Sequence, residues 1–209
     1  MNAFITLRGI TTALGLVTAI AGTPALAAAT AAQDETCYDF SGLEVGTAWL
    51  IEPQTALPIG IGTIRVHPLK LDGVVQTPDD ARFEVIDTAI AGGQPPELAG
   101  TAVAIQMLPA EGVKRIRLRY SHQPGPDEGR AATVEVNGAR RDWSGSFERL
   151  NHEHLGPAGH LARFTVTPQP ANAGSLWRGG QFVVESREAI RSFTIGAAVL
   201  RLDDVCFAR

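Results

Sequence analysis

Val199-Leu-Arg-Leu-Asp-Asp-Val-Cys-Phe207 alternates apolar and polar side chains with the period of two that a half-buried β-strand requires. At the other end of the folded region, Thr36-Cys-Tyr-Asp-Phe-Ser-Gly-Leu-Glu-Val-Gly-Thr-Ala-Trp49 follows the same rule. Each stretch carries one of the chain's two cysteines, so the reading places the first and last strands side by side, stapled by Cys37–Cys206. Such a bond closes a loop over nearly the whole domain, where the chain-entropy argument gives about 4 to 5 kcal/mol. It also protects the termini, where a sheet frays first.

The residues before this pair read as an address. Arg8 supplies a short positive region, Ile10 to Ile20 an apolar one, and Thr23-Pro-Ala-Leu-Ala27 small residues in A-x-A spacing. The expectation is a signal peptide over residues 1–27, a flexible segment over 28–36, and one domain over 37–209. Gly22 and Pro24 interrupt the apolar run before it reaches the roughly 20 residues a membrane anchor needs. The expected location is therefore the periplasm or the extracellular space, where a disulfide persists.

The formal net charge is −4, with 18 Lys and Arg against 22 Asp and Glu. A mildly acidic chain speaks against nucleic acid, whose binding draws on clustered cations. Lys114-Arg-Ile-Arg-Leu-Arg119 is the exception, and its alternation makes it the solvated face of a strand.

Between the ends the pattern is strand and turn throughout. Thr63 to Leu71 alternates, with Pro68 marking an edge or bulge; Arg82 to Asp87 follows; Thr101 to Leu108 is almost continuously apolar; Val113 to Tyr120 alternates. His122-Gln-Pro-Gly-Pro-Asp-Glu-Gly129 reads as a breaker-rich loop, and Asp142-Trp-Ser-Gly145 as a turn or wide loop. Ala132 to Val136 leads into Asn137-Gly138, the dipeptide that favours a tight hairpin because both residues tolerate positive φ. No convincing amphipathic helix exceeds two turns. Short strands with Gly and Pro between them predict an all-β, two-sheet antiparallel sandwich, a pattern that a jelly roll and other Greek keys share.

Cys37-Tyr-Asp-Phe40 with Leu43-x-x-Gly46, and Leu202-Asp-Asp-Val-Cys-Phe207, resemble the opening and closing strands of exported jelly-roll domains. These include galactose-binding-like and carbohydrate-binding modules, and secreted domains with the same paired cysteines. The resemblance implies a glycan as ligand and a structural calcium held by acidic residues from both ends, which nominates Asp39, Asp203, Asp204 and Glu35. Calcium's demand for six to eight oxygen ligands suits adjacent strands that supply carboxylates and carbonyls together.

Three further features carry chemistry. Asn151-His-Glu-His-Leu-Gly156, with His160 behind it, would put His152 and His154 on one face if extended, a zinc spacing that keeps a metal-dependent hydrolase open as an alternative. Trp143 and Trp177 lie in polar surroundings, suited to stacking on a sugar or anchoring a protein partner. The chain has no Gly-x-Ser-x-Gly elbow and no phosphate-cradling glycine loop, so the reading leans away from an enzyme. The expected function is non-catalytic binding, of a glycan or alternatively of an envelope protein through an open sheet edge.

Overall fold

The computed structural model describes residues 34–51, 55–79, 81–89, 94–123, 130–156, 161–170 and 176–209. Among these residues the chain forms fifteen strands. They are β1 Glu35–Tyr38, β2 Ala48–Leu50, β3 Ala56–Pro58, β4 Gly62–Pro68, β5 Lys70–Leu71, β6 Val74–Val75, β7 Arg82–Ile86 and β8 Glu97–Pro109. After them come β9 Val113–Gln123, β10 Arg130–Val136, β11 Ala139–Ser144, β12 His154–Leu155, β13 Ala162–Pro168, β14 Arg178–Ile190 and β15 Phe193–Ala208. The one helical element among them is a 3-10 turn, Phe147–Leu150, capped by Ser146.

Thirteen strands join one antiparallel ladder whose spine runs β12-β13-β14-β9-β15-β8-β4-β3, while β5 and β6 form a separate hairpin. The ladder becomes a sandwich because its two longest strands change partners midway. β15 pairs β8 along one side from Phe193 to Leu202 and then β1 from Val205 to Ala208. Along its other side it pairs β10 up to Ala197 and β9 from Val199 onward.

The change is visible in which side chains are buried. Phe193, Ile195 and Ala197 face the core and then Leu200 and Leu202 do, so the inward parity switches between Ala197 and Leu200. β8 switches likewise, from Leu98 to Val103, Ile105 and Met107, around Ala102, whose φ of 51° bends the strand. Both bends fold the ladder over one core. The switch also explains the continuous apolar run of β8. Val103, Ile105 and Met107 enter the main core, while Ala102 and Ala104 on the opposite face lie under Leu69 and Leu71 beside the β5–β6 hairpin.

Cys37 faces Cys206 directly in the β1–β15 register, and the two are bonded across a separation of 169 residues. Asn137 and Gly138 turn β10 into β11 with φ of 49° and 86°, as a primed hairpin turn needs. Two expectations change. β9 runs through His122 to Gln123, and Asp142 to Ser144 belong to β11, because each segment finds a strand to pair with: His122 lies opposite both Arg178 and Leu200, and Asp142 opposite Thr133. Ladder hydrogen bonds outweigh the turn-forming composition.

Candidate functional site

The carboxylates nominated for calcium do not meet at a point. Glu35, on β1, takes Arg117 of β9 in a forked pair, with contacts of 2.7, 3.0 and 3.1 Å, and the guanidinium holds its carboxyl below the usual range. Asp39 accepts from the Ser41 hydroxyl at 2.8 Å and amide at 3.1 Å, which lowers its pKa as well. Asp204 pairs with Arg119 at 2.9 Å. The β9–β15 register slips by one residue between Asp203 and Cys206, and Asp204 adopts a φ of 47° within that bulge.

Asp203 is fully buried there. Its Oδ1 accepts the Asp204 amide at 2.7 Å, and its Oδ2 has no partner. Burial, reinforced by the Asp204 charge, pushes its pKa up to about 7. Among the described residues, the one set of three metal-capable side chains with ligand atoms within 4.8 Å is Glu35 with Cys37 and Cys206, and those two sulphurs are bonded to each other. With two of the four acids neutralised by guanidinium groups, this donor set does not suit calcium as it stands.

The histidine cluster is also spread out. His152 has a φ of 66°, which removes the extended geometry that a shared face requires, and its Nδ1 lies 3.3 Å from Arg163. His154 is exposed on β12, and His160 lies outside the described residues. The tryptophans part as well. Trp143 sends its Nε1–H to the Ser146 carbonyl at 3.3 Å and packs edge-on against Phe147, a core contact. Trp177 lies under the Arg201 guanidinium, 4.1 Å from its ring centre. They do not build one stacking platform.

What the fold does assemble is a groove of about 300 Å³ on the face of β4, β8, β15, β10 and β11. Register places Arg65, Gln106, Thr194, Glu135 and Arg140 in one row across the five strands. A second row holds His67, Ala104, Gly196, Thr133 and Asp142. Ala104 lines the groove between the longer side chains, and Gly196 beside it leaves room for Thr133 and Leu69 to close in. A Cβ on Gly196 would stand 2.9 Å from Thr133 Cγ2 and 3.0 Å from Leu69 Cδ1, so a side chain there would have to push Thr133 or Leu69 aside.

The β5–β6 hairpin forms the wall and is tied down. Arg140 donates to the Lys70 carbonyl and, at 2.9 Å, to Asp142, while Asp142 accepts the Asp72 amide at 3.2 Å. Gln106 is pre-oriented: His67 Nε2 lies 3.2 Å from its Oε1, and its amide donates to Ser192 at 3.0 Å. Glu135, Lys70 and Thr194 point polar groups along the groove, and Val74 and Val75 remain exposed on the neighbouring hairpin. His67 and Lys70 lie close together in sequence, as do Thr133 and Glu135. The remaining polar residues come from distant strands, so no local motif announced them.

A second feature lies at His122, the first residue of the stretch that reads in sequence as a breaker-rich loop. His122 is fully buried, neither ring nitrogen has a partner, and its ring lies 4.6 Å from Phe147. Burial, with the Arg178 charge nearby, lowers its pKa to about 4. Tyr120 two residues earlier is buried with its hydroxyl unpartnered, and burial raises its pKa strongly. The signal available in sequence was the even spacing that continues the inward face Ile116, Leu118, Tyr120 into position 122.

Comparison of the sequence with protein-family models and with curated proteins finds no match. No described helix is long and apolar enough to cross a membrane.

Proposed function

We propose that this chain is an exported, non-catalytic binding domain whose ligand is a glycan seated in the groove on the β4–β8–β15–β10–β11 face. The observation that carries the reading is the convergence of His67, Gln106, Thr133, Glu135, Thr194, Lys70 and Arg140 on one shallow cleft of about 300 Å³. A sugar presents many hydroxyls, each donor and acceptor, together with small apolar CH patches. The groove offers carboxylate, amide, hydroxyl and ammonium groups to the former and the apolar surface of Pro68 and Ala104 to the latter. The disulfide supports an oxidising location.

Titration of soluble neutral and acidic oligosaccharides, followed by isothermal calorimetry and amide NMR shifts, tests this reading. Glu135→Ala and Gln106→Ala are expected to weaken binding about tenfold each, with the fold retained by amide NMR, while Trp177→Ala leaves binding intact. Binding that survives both groove variants, or the lack of any binding sugar across the panel, would refute the assignment.

A second reading has its own observation. Among the described residues β1 pairs on one side only, with β15, so its free edge beside the cleft of Thr36, Ile61, Val113 and Phe207 could receive a strand from an envelope protein.

A further inference from the structure

The disulfide sits in an environment that a purely structural cross-link does not need. Cys37 is exposed and Cys206 fully buried, so Cys37 is the half of the bond that the surface presents to a nucleophile from solvent. Arg117 lies between the bond and Glu35: its Nη2 is 2.9 Å from Cys206 Sγ and 3.4 Å from Cys37 Sγ. The donor and its charge are therefore nearer the buried sulphur. β9 carries Arg115 and Arg119 in the same outward row, partnered by Glu185 at 3.6 Å and Asp204 at 2.9 Å.

We propose that Cys37–Cys206 is a thiol–disulfide exchange site, opened at Cys37 by a dithiol reductant, with Cys206 as the leaving group and Arg117 as the group that receives its charge. Exchange requires an accessible sulphur to attack and a leaving sulphur whose developing negative charge is stabilised, and the fold divides these roles between the two cysteines. A thiolate of the reductant attacks Cys37 Sγ and forms a new S–S bond. The Cys37–Cys206 bond breaks, and its electron pair departs on Cys206 Sγ beside the Arg117 guanidinium. The reductant's second thiol, deprotonated, then attacks its own sulphur in the mixed disulfide. This releases Cys37 as a thiolate and leaves the reductant as an internal disulfide, two electrons having passed to the protein; the two protons lost by the dithiol pass through solvent to the cysteines.

Opening has a structural consequence. β1 is four residues long and, once the bond is cut, is tied to the domain by its ladder to β15 and by the Glu35–Arg117 pair. Exchange at this site thus controls the docking of the first strand and the state of the sheet edge it forms.

The test uses the oxidised, folded protein. Glutathione, a monothiol with no second thiol of its own to resolve the mixed disulfide, is expected on Cys37 at least tenfold over Cys206 when the freed cysteine is quenched with iodoacetamide and the adduct is mapped by mass spectrometry. The rate of opening by dithiothreitol without denaturant should fall about tenfold in Arg117→Met and recover in Arg117→Lys. Glu35→Gln distinguishes leaving-group assistance from simple anchoring of β1. If the ion pair only anchored the strand, Arg117→Met and Glu35→Gln would both speed opening, whereas the exchange site predicts slowing in the first and none in the second. Adducts divided equally or favouring Cys206, opening confined to denaturant, or faster opening in Arg117→Met would each overturn the proposal.

Discussion

The bulge at Asp203 makes a quantitative prediction about pH. The side chain is fully buried with one oxygen unpartnered, and its pKa rises from the ordinary 3.8 to about 7. A carboxyl whose pKa is higher in the native state binds a proton that the unfolded chain has already released. Stability from this group is thus complete below pH 4 and is lost as the pH climbs to 7. A change from 3.8 to about 7 is equivalent to about 4 kcal/mol, with a slope of about 1.4 kcal/mol per pH unit across the window.

Asp203→Asn keeps the shape and the acceptor for the Asp204 amide and carries no charge at any pH, so it mimics the protonated side chain. Urea unfolding of the oxidised wild type and variant, run from pH 4 to 8, should give nearly equal stabilities at the acid end. The variant should then become the more stable by up to about 4 kcal/mol at pH 8. Taking the difference between the two proteins cancels every other titrating group, His122 included. Parallel curves, or a variant less stable than wild type at pH 8, would show that Asp203 is ionised and held by Arg119, and the argument from burial would fail. Repeating the series with calcium and with chelator tests the ion expected from the sequence: bound calcium would hold the carboxylate ionised and abolish the wild type's loss towards pH 7.

His122 works in the opposite direction. Its native pKa of about 4 lies below the ordinary 6.5, so its contribution is present above pH 6.5 and is lost as pH falls towards 4. His122→Leu should remove an acid-side penalty of about 3 kcal/mol and leave stability at pH 7 little changed, read from urea midpoints at pH 4.5 and 7.5. Asn137→Ala should cost about 2 kcal/mol. Its Oδ1 accepts the Arg191 amide at 2.8 Å and the Ser192 amide at 3.2 Å, its Nδ2 donates to the Ala189 carbonyl at 2.9 Å, and its φ is positive. Thermal unfolding reads that loss, and Asn137→Asp, which retains the acceptor and tolerates the backbone, should recover most of it.

Much of the architecture was legible because it depends on local pattern. The strand over Val199–Phe207, the two cysteines at opposite ends and Asn137-Gly138 each fix a local geometry, and the fold contains the strand, the bond and the turn, with the alternation kept as far as Leu202. The site was less legible because it depends on register. Two adjacent aspartates in an alternating strand should point to opposite faces, and the bulge between Asp203 and Cys206 cancels that rule without a glycine or proline to mark it. The groove joins Gln106, Glu135 and Thr194 from three strands, and nothing in the intervening residues states which positions will stand in one row. Trp143 read as exposed because Asp142 and Ser144 flank it. Alternation along β11 instead turns its ring towards Phe147.

The distribution of charge partners separates the two broad faces of the sandwich. On the β9 face the arginines at 115, 117 and 119 meet Glu185, Glu35 and Asp204. The Arg117 and Arg119 pairs are closed at 2.7 and 2.9 Å, and a glycan arriving there would have to displace a guanidinium from a carboxylate. On the groove face Arg140 and Asp142 are spent on holding the hairpin, while Glu135, Lys70 and Thr194 remain directed at the cleft. A hydroxylated ligand gains hydrogen bonds on that face without breaking any that the protein makes for itself, and net gain, not the number of polar groups, decides where such a ligand settles. The exchange site proposed at Cys37, with the arginine row beside it, shares no residue with the groove. Opening the disulfide should therefore leave affinity in the groove unchanged, and oligosaccharide titrations of the oxidised and reduced protein that gave different dissociation constants would show the two faces to be coupled.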